Sequence, residues 1–127
     1  LHGLLHSFPT RRSSDLFAQY VDEFESPWVR AYFDVANTVI VGYPEDWIRT
    51  LGKRICKLHF KDFKREGYQW TKFPYEGDVN WAEVRKALDE VGYTGWCTEE
   101  CPRGDDEAWM RELSRRLTLI GEGAATA

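Results

Sequence analysis

Three short apolar segments of this sequence each end in groups capable of acid–base or metal chemistry. Ala31-Tyr32-Phe33 runs into Asp34. Ile55-Cys56-Lys57-Leu58-His59-Phe60 carries an imidazole near its end and runs into Lys61 and Asp62. Trp96-Cys97-Thr98 runs into Glu99 and Glu100. Runs of this kind read as buried strands of an α/β sheet, and such folds place their chemistry at the carboxyl ends of the strands. An Asp, a His and a Glu on three different strand ends point to a divalent-metal site, and mixed oxygen and imidazole donors suit Mn²⁺, Mg²⁺, Co²⁺ or Zn²⁺. Taken singly, His59 reads as a hydrogen-bonded buried imidazole and Asp34 as a turn carboxylate. Their coincidence at strand ends is what favours the metal. Side chains alternate along a strand, so only one of Glu99 and Glu100 can face inward.

The elements needed to hold these strand ends are legible around them. Phe17, Tyr20, Val21 and Phe24 recur at helical spacing, so residues 17–25 read as the end of an amphipathic helix stopped by Ser26-Pro27. The first strand is expected over 29–35, followed by a loop from Ala36 to Gly42. Pro44 suits a first helical position, with Glu45 and Asp46 behind it, Trp47, Ile48 and Leu51 inward, and Gly52 at the C-terminal cap. Residues 62–78 form a long connection rich in aromatics, of the kind that is often functional. Lys61, Lys64, Arg65 and Lys72 lie around it. Asn80 with Glu83 resembles a capping box for a helix closed by Gly92, and Asp105 or Asp106 caps a last helix, with a frayed tail from Gly121. Strands alternating with helices imply βα units and a parallel sheet.

Composition narrows the function classes. The chain has 127 residues, 15% aromatic, which is enough for one packed domain and unlike a disordered chain. Its net charge of −4 argues mildly against a nucleic-acid surface. No apolar run is long enough to span a membrane. Cys56, Cys97 and Cys101 form neither a zinc spacing nor an even disulfide set, as expected of reduced thiols in the cytoplasm.

The first sixteen residues read differently from the rest. His6 to Leu16 (HSFPTRRSSDL) resembles the translation of a common sequencing-adapter oligonucleotide in one frame. Residues 1–16 are therefore expected to be a non-native segment and residues 17–127 the genuine domain. His2 and His6 fall within the first part, which leaves His59 as the only histidine of the second.

Three further stretches carry a family resemblance: Tyr32-Phe33-Asp34-Val35-Ala36-Asn37, Lys57-Leu58-His59-Phe60-Lys61-Asp62, and Glu76-Gly77-Asp78-Val79-Asn80-Trp81 leading to Gly92-Tyr93-Thr94-Gly95-Trp96 and Glu100. In order and spacing they resemble the sugar phosphate isomerase/epimerase family with the xylose-isomerase-like TIM barrel. The resemblance implies the C-terminal half of a (β/α)₈ barrel: about strand five through helix eight, with strand seven short or hidden in 62–79. It implies a metal held by Glu, Asp, His and Glu, the last three matching Asp34, His59 and Glu100. The first Glu would lie upstream of Phe17. Glu100 would also be one of two carboxylates that exchange a proton at a carbon next to a carbonyl. Asn37 stands where some relatives carry a substrate-side His. With Lys61 and Lys64 it is expected to meet the sugar or sugar phosphate, while Asp62 orders the loop behind the site.

Two other readings compete. An AP-endonuclease-like DNA repair enzyme shares the barrel, but it needs several His and a phosphate-binding surface, against the single His of residues 17–127 and a negative charge. Alternatively, the chain as written catalyses nothing, because half a barrel and one ligand are absent. Its open sheet edges would then invite association, leaving room for a homo-oligomer.

Overall fold

The computed structural model describes residues 12–102 and 104–127. His2 and His6, and most of the segment expected to be non-native, lie outside the described residues.

The chain alternates helices and strands around a three-stranded parallel sheet. Helix α1 (Ser13–Asp22) leads to β1 (Ala31–Asp34), a short α2 (Val35–Val39), α3 (Pro44–Leu51) and a 3₁₀ turn (Gly52–Arg54). Then come β2 (Ile55–Phe60), an antiparallel hairpin of β3 (Phe63–Lys64) and β4 (Gln69–Trp70), α4 (Trp81–Glu90), β5 (Trp96–Glu99) and α5 (Glu107–Glu122). The sheet order is β1-β2-β5, with β2 in the middle and both pairings parallel. Successive parallel strands joined by helices are the βα units expected.

Caps and packing account for the helices. Pro44 opens α3, and Ile48 and Leu51 are buried against the core. The Asn80 side chain accepts from the Glu83 N–H at 3.2 Å to start α4, and the Asp106 side chain accepts from the Trp109 N–H at 2.7 Å to start α5. Phe33, Leu58 and Phe60 of the sheet pack with Val35, Ile48, Leu51, Val84 and Leu88 into one core. Fully burying a residue such as Leu58 contributes about 1.5–3 kcal/mol. A smaller cluster of Phe73, Trp109 and Leu113 seats α5 against the long connection.

Four expectations are corrected. The helix whose end was read at 17–25 stops at Asp22, and its first turn, from Ser13, lies in the segment expected to be non-native. Its start is held by the Arg12 N–H, which donates to the Asp15 carboxylate at 3.1 Å, and Ser14, Ala18 and Val21 face the protein. The loop expected from Ala36 begins as α2, because an Asp34 oxygen accepts from the Asn37 N–H at 2.9 Å and caps it. No parallel strand lies within 62–79 among the described residues. That stretch forms the β3–β4 hairpin, a sheet of its own, and β5 pairs directly with β2. The tail does not fray at Gly121: α5 continues to Glu122, Gly123 closes it at φ 78°, and the Tyr75 hydroxyl donates to the Ala124 carbonyl at 3.0 Å. Among the described residues no helix is long and apolar enough to cross a membrane.

Candidate metal centre

Strand register assembles the site. Asp34 of β1 lies beside His59 of β2, and His59 beside Thr98 of β5. Two residues further along, on the same side, come Lys61 and Glu100. Glu100 follows β5 but keeps its backbone N–H on the Phe60 carbonyl at 3.0 Å, so the strand direction persists through it. The period of two thus brings Glu100 rather than Glu99 to this face. The ligand atoms of Asp34, His59 and Glu100 all lie within 4.8 Å of one another, at the carboxyl end of the sheet.

The donors converge in detail. His59 Nδ1 is 3.9 Å from Asp34 Oδ2 and 3.7 Å from Glu100 Oε2. These distances are too long for hydrogen bonds. Donors about 2.0–2.2 Å from a shared divalent ion stand about 3–4 Å apart, so the three groups fit such an ion in spacing as well as in chemistry. Asp34 divides its oxygens, Oδ1 capping α2 and Oδ2 facing the site. Among the described residues no fourth carboxylate or imidazole joins the group.

A positive charge already lies among these acceptors. The Lys61 ammonium is 3.0 Å from Asp34 Oδ2 and 2.7 Å from Glu100 Oε2, and it sits 4.3 Å from the centre of the Trp70 ring. Burial works to lower the Lys61 pKa, but the hydrogen bonds that its ammonium donates to Glu100 and Asp34 outweigh it and leave the pKa raised. The same Lys61 hydrogen bond holds the Glu100 carboxyl below the usual glutamate range.

Asp62 is where the long connection is tied. It is fully buried. Its Oδ1 accepts from the Phe63 and Val79 N–H groups at 2.8 and 3.2 Å. Its Oδ2 accepts from those of Tyr75 and Gly77 at 2.9 and 3.1 Å and from the Trp81 indole at 3.1 Å. Burial raises its carboxyl pKa, against the opposing pull of the Trp81, Val79, Gly77 and Phe63 donors. All five partners are donors, a set that only a carboxylate's two acceptor oxygens satisfy in full. A Cβ on Gly77 would stand 2.6 Å from the Phe63 carbonyl oxygen, so this close approach requires glycine.

The remaining candidates are placed differently. Asn37 is exposed in the first turn of α2, its N–H bound to Asp34. Lys64 turns towards Glu66, 3.9 Å away, and Lys72 lies over the Phe73 ring. Arg65 donates to the Val39 and Gly42 carbonyls, both at 2.9 Å, and so ties the hairpin to the end of α2. A cleft of about 320 Å³ beside Glu100 is lined by Lys61, Trp70, Thr71, Glu100, Cys101 and Pro102. A larger hollow of about 500 Å³ lies at the other end of the sheet, before β1 and β2, between Val21, Val29, Arg30, Lys53 and Arg54. In barrel folds that end does not carry the chemistry.

Sequence reading missed two residues of this face. Tyr32 is hydrogen-bonded to His59 Nε2, and its hydroxyl is 2.8 Å from Thr98 Oγ1. Tyr32 precedes Asp34 by two and Thr98 precedes Glu100 by two, so the strand period was the signal that could have found them.

A family model described as the xylose isomerase-like TIM barrel matches residues 5–120. No curated protein sequence matches the chain. Among solved structures, an L-ribulose 3-epimerase superposes with a TM-score of 0.66 at 16% identity, over 87% of this chain and 41% of its own. A D-psicose 3-epimerase from Clostridium cellulolyticum H10 gives 0.62 at 19% identity, over 87% and 44%. A D-tagatose 3-epimerase-like protein gives 0.64 at 25% identity, over 86% and 42%. The chain therefore spans less than half the length of these structures.

Proposed function

The chain belongs to the xylose isomerase-like TIM barrel family, and from that premise we propose that it is the C-terminal half of a divalent-metal-dependent sugar or sugar-phosphate isomerase/epimerase. The observation that carries this reading is the convergence of Asp34, His59 Nδ1 and Glu100 at the carboxyl ends of three neighbouring strands. That its structural neighbours include sugar 3-epimerases supports the same reading. Asp34, His59 and Glu100 would hold the ion, which would polarise the carbonyl and hydroxyl oxygens of a sugar.

The protein's own groups have separate tasks. Glu100, half-exposed beside the cleft, takes a proton from the carbon next to the carbonyl on one side of the sugar. A second carboxylate returns one on the opposite side. We place it, with the fourth ligand, upstream of Phe17, and we take residues 1–16 as non-native. Lys61 keeps Glu100 ionised and offers N–H bonds to a substrate hydroxyl. Lys64 and Asn37 do not line the cleft, and we propose them only as further groups that meet a sugar or its phosphate from outside it. Asp62 holds the connection that carries Trp70 and Thr71 over the cleft. The setting we propose is cytoplasmic, with a small sugar as the partner.

With three ligands and one of the two carboxylates, this chain alone is expected to turn over no ketose or ketose phosphate. Robust turnover by the purified chain, followed by solvent deuterium entering the sugar, would contradict the proposal. Calorimetric titration with Mn²⁺ should show weak binding that His59→Ala abolishes. Equal binding by that variant would remove the ligand assignment.

A further inference from the structure

A chain of hydrogen bonds runs across the sheet in one direction and ends on His59. Thr98 Oγ1 lies 3.2 Å from the Leu58 carbonyl oxygen. A carbonyl only accepts, so the Thr98 proton is committed there. Tyr32 Oη lies 2.8 Å from Thr98 Oγ1. Since Thr98 has no second proton, Tyr32 donates to it. The Tyr32 oxygen is also hydrogen-bonded to His59 Nε2, and with its own proton used it can only accept. Nε2 therefore carries the ring proton, and Nδ1 of the neutral imidazole carries the lone pair. Nδ1 is the nitrogen that faces Asp34 Oδ2 and Glu100 Oε2, too far from either to share a proton with it.

From this donor order we infer that Tyr32 and Thr98 are positioning residues that fix His59 as its Nε2–H tautomer and keep the Nδ1 lone pair turned to the two carboxylates. The tautomer follows from hydrogen bonding alone. Only the use of the lone pair, to hold a cation, rests on the function proposed above. Register explains why these two residues serve: Thr98 is paired with His59 across β2 and β5, and Tyr32 sits one step back on the same face of β1. The Tyr32 ring also packs on the imidazole, with centroids 4.2 Å apart, which holds the plane of the ring as well as its proton. Groups behind a metal-bound His that set its tautomer typically change metal affinity 10–100-fold when removed.

The test uses the full 127-residue chain, ¹⁵N-labelled and without added metal, with imidazole nitrogens read by long-range ¹H–¹⁵N correlation at alkaline pH. His59 is identified by the signals that His59→Ala removes. Wild type should show mostly the Nε2–H form. In Thr98→Val, close in shape but without the acceptor, Tyr32 is free to donate to Nε2, and the population should move to Nδ1–H. Tyr32→Phe should give a mixture, and Thr98→Ser should restore the wild-type pattern. Mn²⁺ affinity should fall about tenfold in Tyr32→Phe and Thr98→Val and recover in Thr98→Ser. A wild-type proton on Nδ1, or an Nε2–H form unchanged in both Tyr32→Phe and Thr98→Val, overturns the inference. If the tautomers shift as expected while Mn²⁺ affinity is equal in every variant, His59→Ala included, the positioning role stands and the metal reading falls.

Discussion

At the scale of single residues, Asp62 and Lys61 show how closely chemistry and support are interleaved. They are neighbours in sequence, yet Lys61 lies among the candidate ligands and Asp62 gives its oxygens to five donors, three in the long connection and two, Val79 and Trp81, at the start of α4. Asp62→Asn keeps the shape but turns an NH₂ towards N–H groups. It should destabilise the protein by about 3 kcal/mol, read as a lower urea midpoint. A loss below about 1 kcal/mol would mean that the carboxylate does not organise the connection. Lys61→Met removes a like charge about 3 Å from the same two oxygens a cation would use, so Mn²⁺ should bind about tenfold tighter. Weaker binding would mean that Lys61 helps to build the cation site. The grouping of Asp34, His59 and Glu100 was legible in the sequence because each lies at or near the end of an apolar run. The strand period puts Tyr32 and Thr98 on the same face, but their contacts with His59 depend on which residues of three strands lie side by side, and register is not written in any one strand.

At the scale of elements, ion pairs fasten the helices that frame the sheet. Arg49 of α3 donates to Glu90 at 2.6 Å and Glu83 at 3.3 Å, both on α4, and its hydrogen bond holds the Glu90 carboxyl below the usual glutamate range. A depressed carboxyl contributes stability that is present above the ordinary glutamate range and is lost as pH falls through the folded value. Arg49→Met should therefore lower the melting temperature at pH 7 and lower it much less at pH 3. An equal loss at both would assign the effect to the arginine stem rather than to its charge. The long helices were readable because caps and apolar periodicity agreed over α3, α4 and α5. The five-residue α2 was not, since it is shorter than two turns and owes its start to the Asp34 side chain. The β3–β4 hairpin escaped notice because its strands are two residues each and rest on Arg65 and Asp62 rather than on a pattern of their own.

At the scale of the whole molecule, the sheet is open on both sides. Among the described residues β1 and β5 each pair with β2 alone, and Trp28 and Trp96 are 92% and 79% exposed. Unpaired strand edges beside exposed aromatics favour association. Sedimentation should show concentration-dependent oligomers that Trp96→Lys reduces, whereas a strictly monomeric chain at every concentration would contradict this. The parallel α/β architecture was legible from the alternation of strand and helix signals. The order of its strands was not: the family resemblance implied a strand short or hidden in 62–79, and the pairing of β5 with β2 excludes it.

The most direct test of the metal centre is pulsed electron paramagnetic resonance of Mn²⁺ added to the ¹⁴N and ¹⁵N forms of the chain. A hyperfine coupling from one imidazole nitrogen is expected that changes with the isotope, vanishes in His59→Ala, and survives when His2 and His6 are replaced. A nitrogen coupling that persists in His59→Ala, or Mn²⁺ bound with no nitrogen coupling at all, would contradict the metal centre.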